Sequence, residues 1–129
     1  MQAETKVRVI YFRELYRSPL HIHLGWRREC FYIPSEQVVL WVAYSGVFGT
    51  IRQFGLSTDE ETLRRAKQIA RGKIPRIENF TYSDVKEFDY DRHALQSLVH
   101  KIREKERLKI EIEPKMEELL KMVGENQNG

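Results

Sequence analysis

Residues 35–54 read SEQVVLWVAYSGVFGTIRQF and form the one long apolar block of this 129-residue chain. We expect the core to form around this block because the burial of apolar side chains is the main driving force of folding. Pro34, Ser35 and Glu36 are typical of a helix start, since a serine can cap free backbone N–H groups and an acid favours the positive end of a helix. Apolar side chains then recur at helical spacing, at Leu40, Tyr44, Val47, Phe48 and Ile51. The block therefore predicts a helix over 36–54.

The same block also permits a β-hairpin. It is dense in valine and aromatic residues, which favour strands, and Gly46 and Gly49 would each cost a helix about 1 kcal/mol. Strands over 38–44 and 47–53 would then turn at Ser45 and Gly46. The helix is the preferred interpretation, and the hairpin stays open as the alternative.

Short alternating segments predict a small antiparallel sheet near the N-terminus. They are rich in β-branched and aromatic residues and are separated by Pro and Gly, and they cover residues 6–12, 20–24 and 30–33. Strict alternation of apolar and charged residues also predicts a late strand near 108–113, which would join or extend this sheet.

Further helices are predicted after residue 56. Ser57 and Glu60 form a capping-box pattern ahead of an amphipathic segment. Leucines recur at helical spacing after Asp91, and Pro114 is well placed to open a last short helix. Residues 76–90 are predicted to be a loop with a short helical turn.

The composition indicates one folded domain. Hydrophobic residues make up 41% of the chain and charged residues 32%, a balance typical of globular proteins rather than disordered ones. We expect a single α+β domain over 1–124, in which a small antiparallel N-terminal sheet packs against three or four helices, and a flexible tail over 125–129. Cys30 is the single cysteine, so an intramolecular disulfide and a cysteine-rich zinc site are excluded.

The segments expected of secreted or membrane proteins are not evident in the sequence. The first residues lack a basic patch followed by an apolar run. The block at 38–54 is too short, and too interrupted by glycine and arginine, to cross a bilayer comfortably. We therefore expect a cytoplasmic protein without a membrane partner.

Charge is distributed unevenly along the chain. The formal net charge is +3, but residues 1–76 hold 13 Lys and Arg against 7 Asp and Glu, whereas residues 77–129 hold 9 against 12. A basic half can attract phosphates or an acidic partner, or it can pair with the acidic half of the same chain.

The basic half contains a segment that resembles a helix-turn-helix. Residues 52–57 join two predicted helices, as in such DNA-binding motifs. Arginine forks suit guanine edges and phosphates, and lysines suit phosphates. The first hypothesis is therefore a non-catalytic nucleic-acid-binding module or regulator that binds DNA or RNA without a cofactor, through Arg64, Arg65, Lys67 and Arg71, with Arg27 and Arg28 in support.

Arginines are also interleaved with aromatic residues through the N-terminal region, which predicts a basic face on the sheet. The arginines are Arg8, Arg13, Arg17, Arg27 and Arg28, and the aromatic residues are Tyr11, Tyr16, Trp26 and Tyr32. Exposed aromatic side chains beside arginines can stack on unpaired bases. The alternative is that the aromatic residues are core and the arginines solubilise a sheet edge.

A second hypothesis is an enzyme. His21 and His23 would point to the same side of a strand and could share a divalent metal. A histidine pair of this kind resembles that of nickases and replication initiators, which combine a metal with a nucleophilic tyrosine. The resemblance implies a metal-dependent nickase of single-stranded DNA, with Tyr82 as the nucleophile and Lys86 offsetting the developing charge.

A third hypothesis is an assembly or adaptor protein without nucleic-acid binding. In a helical 36–54 block, Ala43, Gly46 and Thr50 would form a flat stripe against which another helix could pack. That stripe and an acidic C-terminal helix would contact a protein partner or a second copy in a homodimer. Phosphate-loop, dinucleotide-binding and His-Glu-x-x-His motifs are absent from the sequence, which disfavours a nucleotide-driven motor and a dehydrogenase.

Overall fold

The computed structural model describes residues 5–20, 25–44, 51–104 and 109–128. In this part of the chain, five strands form one antiparallel sheet in the order β4-β3-β2-β1-β5. The strands are β1 (Lys6–Arg17), β2 (Gly25–Ile33), β3 (Val38–Tyr44), β4 (Ile51–Ser57) and β5 (Phe80–Asp91). The helices are α1 (Glu60–Ala70), α2 (Arg92–Arg103) and α3 (Lys109–Asn128).

One face of the sheet, which we call the α2–α3 face, packs against α2 and α3. Side chains alternate between faces along a strand, so every second residue of β1, β2 and β3 points to these helices. The strands supply Val7, Val9, Tyr11, Phe31, Ile33, Val38, Leu40 and Val42, and the helices supply Leu95, Leu98, Val99, Ile112, Met116, Leu119 and Val123. Each fully buried aliphatic side chain stabilises the folded state by about 1.5–3 kcal/mol. This face therefore supplies most of the stabilisation from apolar burial.

The opposite face, which we call the α1 face, is covered in part by α1. This helix crosses from β4 at one edge of the sheet to β5 at the other edge. It begins after Asp59, whose carboxylate accepts a hydrogen bond from the Thr62 backbone N–H at 3.0 Å. The smaller core beneath it contains Ile10, Phe12, Cys30, Tyr32, Val39, Ala66, Ile69 and Tyr82.

The predicted fold class was wrong in the size of the sheet and in the apolar block. Residues 38–44 form β3, a central strand, and residues 51–57 form β4 at the sheet edge. Val38, Leu40 and Val42 are buried against α2 and α3, while Val39 is buried under α1. A strand buried on both faces is apolar at nearly every position, and in such a segment a helical spacing arises by coincidence. The hairpin alternative matched β3. Its turn at Ser45 and Gly46 and the first part of its second strand lie outside the described residues, and β4 extends to Ser57 rather than ending at residue 53.

Two other predicted elements were also wrong. The late strand expected near 108–113 falls mostly within α3, where Ile112, Met116, Leu119 and Val123 lie on one buried helical stripe. The predicted loop at 76–90 contains β5, a full strand paired with β1. The predicted strands at 6–12 and 30–33 lie within the longer β1 and β2, whereas residues 21–24 of the third lie outside the described residues.

A β-bulge explains why β5 was hard to recognise. Tyr82 pairs with Glu14, yet Lys86 pairs with Tyr11, so β5 carries one residue more than β1 in this interval. Asp84 has a positive φ of 56° and its carboxylate lies 2.8 Å from the Arg13 guanidinium. Because of the extra residue, the side chains that follow the bulge point to the face opposite to the one that simple alternation predicts.

Within the described ranges, no helix is both long enough and apolar enough to cross a lipid bilayer.

Candidate nucleic-acid interface

An uncovered end of the α1 face carries a group of aromatic rings around an arginine. We call this group, Tyr16, Trp26, Arg28, Trp41 and Phe80, the arginine–aromatic cluster. Its members come from β1, β2, β3 and β5, and strand register brings them together, because Tyr16 lies directly opposite both Trp26 and Phe80. All four strands therefore have to be in register for the cluster to exist.

The rings of the cluster stack on one another. The Tyr16 ring centroid lies 4.4 Å from that of Trp26, with an interplanar angle of 28°, and 4.9 Å from that of Phe80. These are favourable distances for aromatic pairs. Trp26 is nevertheless 38% exposed. A large ring held in place by neighbours yet open to solvent is well suited to contacting a flat ligand.

Arg28 lies between the two tryptophans. Its guanidinium carbon is 4.6 Å from the Trp26 ring centroid and 4.2 Å from that of Trp41, within the range of a cation–π contact. Gly55 of β4 makes room for Trp41, since a Cβ at that position would stand 2.6 Å from the indole. A larger residue in place of Gly55 would therefore displace the Trp41 indole from the site.

Glu14 connects the cluster to the core beneath α1. Its carboxylate accepts hydrogen bonds from the Trp26 indole N–H at 2.9 Å and from the Tyr82 hydroxyl at 3.1 Å. The Arg28 guanidinium lies 3.8 Å away, and the Glu14 side chain is 12% exposed. Trp26 and Arg28 are thus oriented by one largely buried carboxylate.

Arg65 joins the site from α1. Its guanidinium donates a hydrogen bond to the Tyr82 hydroxyl at 3.3 Å and lies 5.1 Å from the Phe80 ring centroid. The same group forms an ion pair with Glu61 at 2.6 Å. Arg65 is therefore held over the sheet rather than extended into solvent.

Tyr82 is poorly placed to act as a nucleophile. Burial, together with the nearby Glu14 carboxylate, raises the pKa of Tyr82 to about 12, so the phenol stays protonated near neutral pH. Lys86 lies on the opposite face, since it pairs with Tyr11 after the bulge. His21 and His23 lie outside the described residues. Of the groups in the nickase hypothesis that the structure describes, Tyr82 and Lys86 lie on opposite faces of the sheet.

The predicted basic residues divide between several surfaces. Arg28 and Arg65 meet at the arginine–aromatic cluster. Arg27, opposite Leu15 in the register, points to the other face of the sheet. Arg64, Lys67 and Arg71 are exposed on α1 or at its end. Of the ion pairs that the described residues make, those of Arg28, Arg64 and Arg65 involve Glu14 and Glu61, not carboxylates of the C-terminal half.

The helix-turn-helix prediction was wrong. Residues 52–57 belong to β4, and a strand rather than a helix precedes α1. The small-residue stripe of the adaptor hypothesis also loses its basis, because Ala43 lies on β3 and Gly46 and Thr50 lie outside the described residues.

Sequence reasoning found part of this site. The alternation of arginine with aromatic residues marked Tyr16, Trp26 and Arg28. Trp41 was missed because it fell in a predicted helix, and Phe80 because it fell in a predicted loop. Glu14 was missed because a single acidic residue in a basic strand matches no known motif. Recognition of β3 and β5 as strands was the signal needed to find them.

Comparisons with protein-family models, curated proteins and solved structures gave no match to this chain. Among residues 5–20, 25–44, 51–104 and 109–128, no group of three or more His, Cys, Asp or Glu side chains is arranged to hold a metal ion.

Proposed function

We propose that this protein is a non-catalytic module that binds single-stranded DNA or RNA through the arginine–aromatic cluster. Unpaired bases stack on the cluster at Trp26, its exposed ring, and the arginines contact phosphates or bases. We assign the protein to the cytoplasm as part of this proposal, because a single cysteine allows none of the intramolecular disulfides that are common in secreted proteins.

The observation that carries the proposal is the exposure of a ring that is already held in place. Trp26 is 38% exposed although it stacks on Tyr16, contacts Arg28 and donates a hydrogen bond to Glu14. A ring fixed before binding loses little conformational entropy when a base stacks on it. Base–aromatic stacking contributes about 1–3 kcal/mol per base and tolerates any sequence.

Single strands suit the cluster better than duplexes. In a duplex the faces of the bases are stacked on one another, and only their edges are open in the grooves. The cluster offers an exposed aromatic ring on a strand, and the described chain has no helix-turn-helix to enter a major groove. Affinity should therefore be higher for an unpaired strand than for a duplex of the same sequence.

The neighbours Arg27 and Arg28 provide a matched test. Both substitutions remove one positive charge, but Arg28 lies in the cluster and Arg27 points to the other face. We expect Arg28→Ala to weaken binding of a labelled oligothymidylate roughly tenfold or more, measured by fluorescence anisotropy at low salt, and Arg27→Ala to have a much smaller effect. Both variants should keep the circular dichroism spectrum of the wild type.

Two results would contradict the proposal. One is the lack of any salt-sensitive binding of the wild type to oligothymidylate, oligouridylate or a mixed-sequence strand, since neutralised phosphates make affinity fall with salt. The other is self-association in sedimentation velocity that Trp26→Ala abolishes. Tryptophan, tyrosine and arginine are also enriched at protein interfaces, and such a result would assign the cluster to assembly.

A further inference from the structure

A basic groove lies beside the arginine–aromatic cluster. It runs between α1 and the segment 73–77 and has a volume of about 460 Å³. We call it the α1 groove. Its polar lining is supplied by Arg64, Arg65, Gln68, Lys73 and Arg76. Lys73 and Arg76 were not among the residues that the sequence patterns singled out.

Three cations of the α1 groove, Arg64, Lys73 and Arg76, are available to an external anion, whereas Arg65 is held by Glu61 and Tyr82. Lys73 and Arg76 are exposed and have no carboxylate partner among the described residues. Arg64 lies 3.8 Å from Glu61, but its side chain is 70% exposed, and exposed pairs of this kind are weak. A phosphate can therefore displace that contact at little cost.

The α1 groove adjoins an opening that reaches the aromatic rings. This second opening, of about 460 Å³, shares residues 74–77 with the groove and is also lined by Glu78, Phe80, Thr81 and Tyr82. Phe80 is a member of the cluster and packs against Tyr16. We expect a chain of nucleotides to run from the rings over the shared segment 74–77 into the groove, with Arg76 offsetting the Glu78 carboxylate there.

Charge is distributed unevenly between the two ends of α1. Glu60 and Glu61 lie in the first turn of the helix and repel phosphates there, whereas the cations Lys73 and Arg76 follow its C-terminal end. A strand that leaves the cluster is therefore drawn toward the C-terminal end of α1. The helix dipole opposes this preference, but its effect is small beside several full charges.

We propose that the α1 groove binds the phosphates of the nucleotides that adjoin a base stacked on the arginine–aromatic cluster. This inference rests on the proposed function and extends it, because it gives the ligand a path and a minimum length of several nucleotides. Lys73 and Arg76 contact the sugar–phosphate chain, and the cluster contacts the bases.

The test compares two double variants with equal changes in charge. Lys73→Ala with Arg76→Ala removes two cations from the α1 groove, and Arg103→Ala with Lys121→Ala removes two exposed cations from α2 and α3 on the other face of the sheet. The probe is a labelled oligothymidylate of roughly twelve nucleotides, which is within the range that small single-strand-binding folds cover. Affinity is measured over a series of salt concentrations.

The groove variant should lose two phosphate contacts. The slope of log affinity against log salt should become shallower by about 1.4, since each contact to a single strand contributes about 0.7, and affinity near 0.1 M salt should fall roughly 25-fold. Both tryptophans of the chain lie in the cluster, so intrinsic fluorescence reports on stacking. Its quenching at saturating probe should be unchanged in the groove variant, and the control variant should keep the slope of the wild type.

The outcomes separate the inference from the proposed function. If the wild type does not bind the probe at all, the proposed function fails, and the inference fails with it. If the wild type binds with tryptophan quenching but the groove variant keeps the same slope, only the inference is overturned. An equal change of slope in both double variants would also overturn it, since that result indicates a general effect of net charge.

Discussion

The two faces of the sheet are formed by the same strands but differ in how completely helices cover them. The α2–α3 face is covered by two helices and contains a continuous group of buried apolar side chains. The α1 face is covered by one helix of 11 residues, which leaves rings, arginines and a carboxylate at its open end. The difference teaches that one well-buried face can stabilise the fold while side chains on the other face stay partly exposed.

The first prediction tests this division with Phe31→Ala. Phe31 is fully buried on the α2–α3 face and contacts Tyr11 and Phe88. We expect the free energy of unfolding to fall by about 3–5 kcal/mol, because a large cavity forms in a dense core. Urea denaturation followed by circular dichroism measures the change. A loss below about 1 kcal/mol would mean that this face does not carry the stability assigned to it.

The second prediction concerns Trp26→Ala, on the other face. We expect affinity for an unpaired strand to fall by about 1–3 kcal/mol, or roughly 5- to 150-fold, through loss of stacking. The free energy of unfolding should fall by only about 2 kcal/mol, because the change removes one aromatic pair and the hydrogen bond to Glu14. Trp26→Phe is the control, since it keeps a ring face. Equal affinities for the wild type and Trp26→Ala would rule out stacking on this ring.

The third prediction concerns alkaline pH. In the folded chain the pKa of Tyr82 is raised to about 12, against about 10 in an unfolded chain. The folded state therefore holds the phenol proton more tightly. Its contribution to stability is fully present below pH about 10 and is lost as pH rises through about 12.

Tyr82→Phe makes this loss measurable. The difference in unfolding free energy between the wild type and Tyr82→Phe should change by an amount on the order of 1–2 kcal/mol between pH about 9 and about 12. Parallel urea titrations at the two pH values give the difference. A difference that does not change with pH would show that the Tyr82 phenol is not shielded as the structure describes.

The fourth prediction compares the two helix caps. Asp59 caps α1 and Asp91 caps α2, each by accepting a hydrogen bond from a backbone N–H three residues on. Replacement of either by alanine should lower the free energy of unfolding by about 1 kcal/mol. Only Asp59→Ala should also change affinity for an unpaired strand, because α1 positions Arg65 at the cluster. Denaturation and anisotropy measurements on both variants check this.

The effect of Asp59→Ala should also depend on pH. Hydrogen bonds from Thr62 lower the pKa of Asp59. Its contribution to stability is therefore present above the usual aspartate pKa and is lost as pH falls below it. If Asp59→Ala is equally destabilising at neutral and at strongly acidic pH, the capping interaction is not the cause.

The sequence predicted the elements whose pattern is local. Alternation along 6–12 located β1, and helical spacing after Asp91 located α2. The apolar block was wrongly predicted to be a helix because burial on both faces makes β3 apolar at nearly every position. β5 was wrongly predicted to be a loop because the Asp84 bulge interrupts its alternation. Local patterns do not encode either cause, since both arise from contacts with distant elements.

The candidate site was predictable only in part for a related reason. Trp26 and Arg28 lie on one strand, so their spacing shows that they share a face. Phe80 joins Tyr16 through the register of β1 with β5, a pairing of residues far apart in the chain. The division of Arg27 from Arg28 follows from alternation alone, and it becomes informative once the strand is known.

The bulge in β5 has a consequence for evolutionary comparison of related chains. Tyr82 serves the layer beneath α1 and Phe88 serves the layer beneath α2 and α3, although they are an even number of residues apart. In a homologue that has lost the one additional residue at Asp84, the side chains on one side of the bulge would point to the opposite face. Apolar and polar positions there would have to be exchanged to keep both cores packed. An ungapped alignment across this position would then equate residues that point in opposite directions.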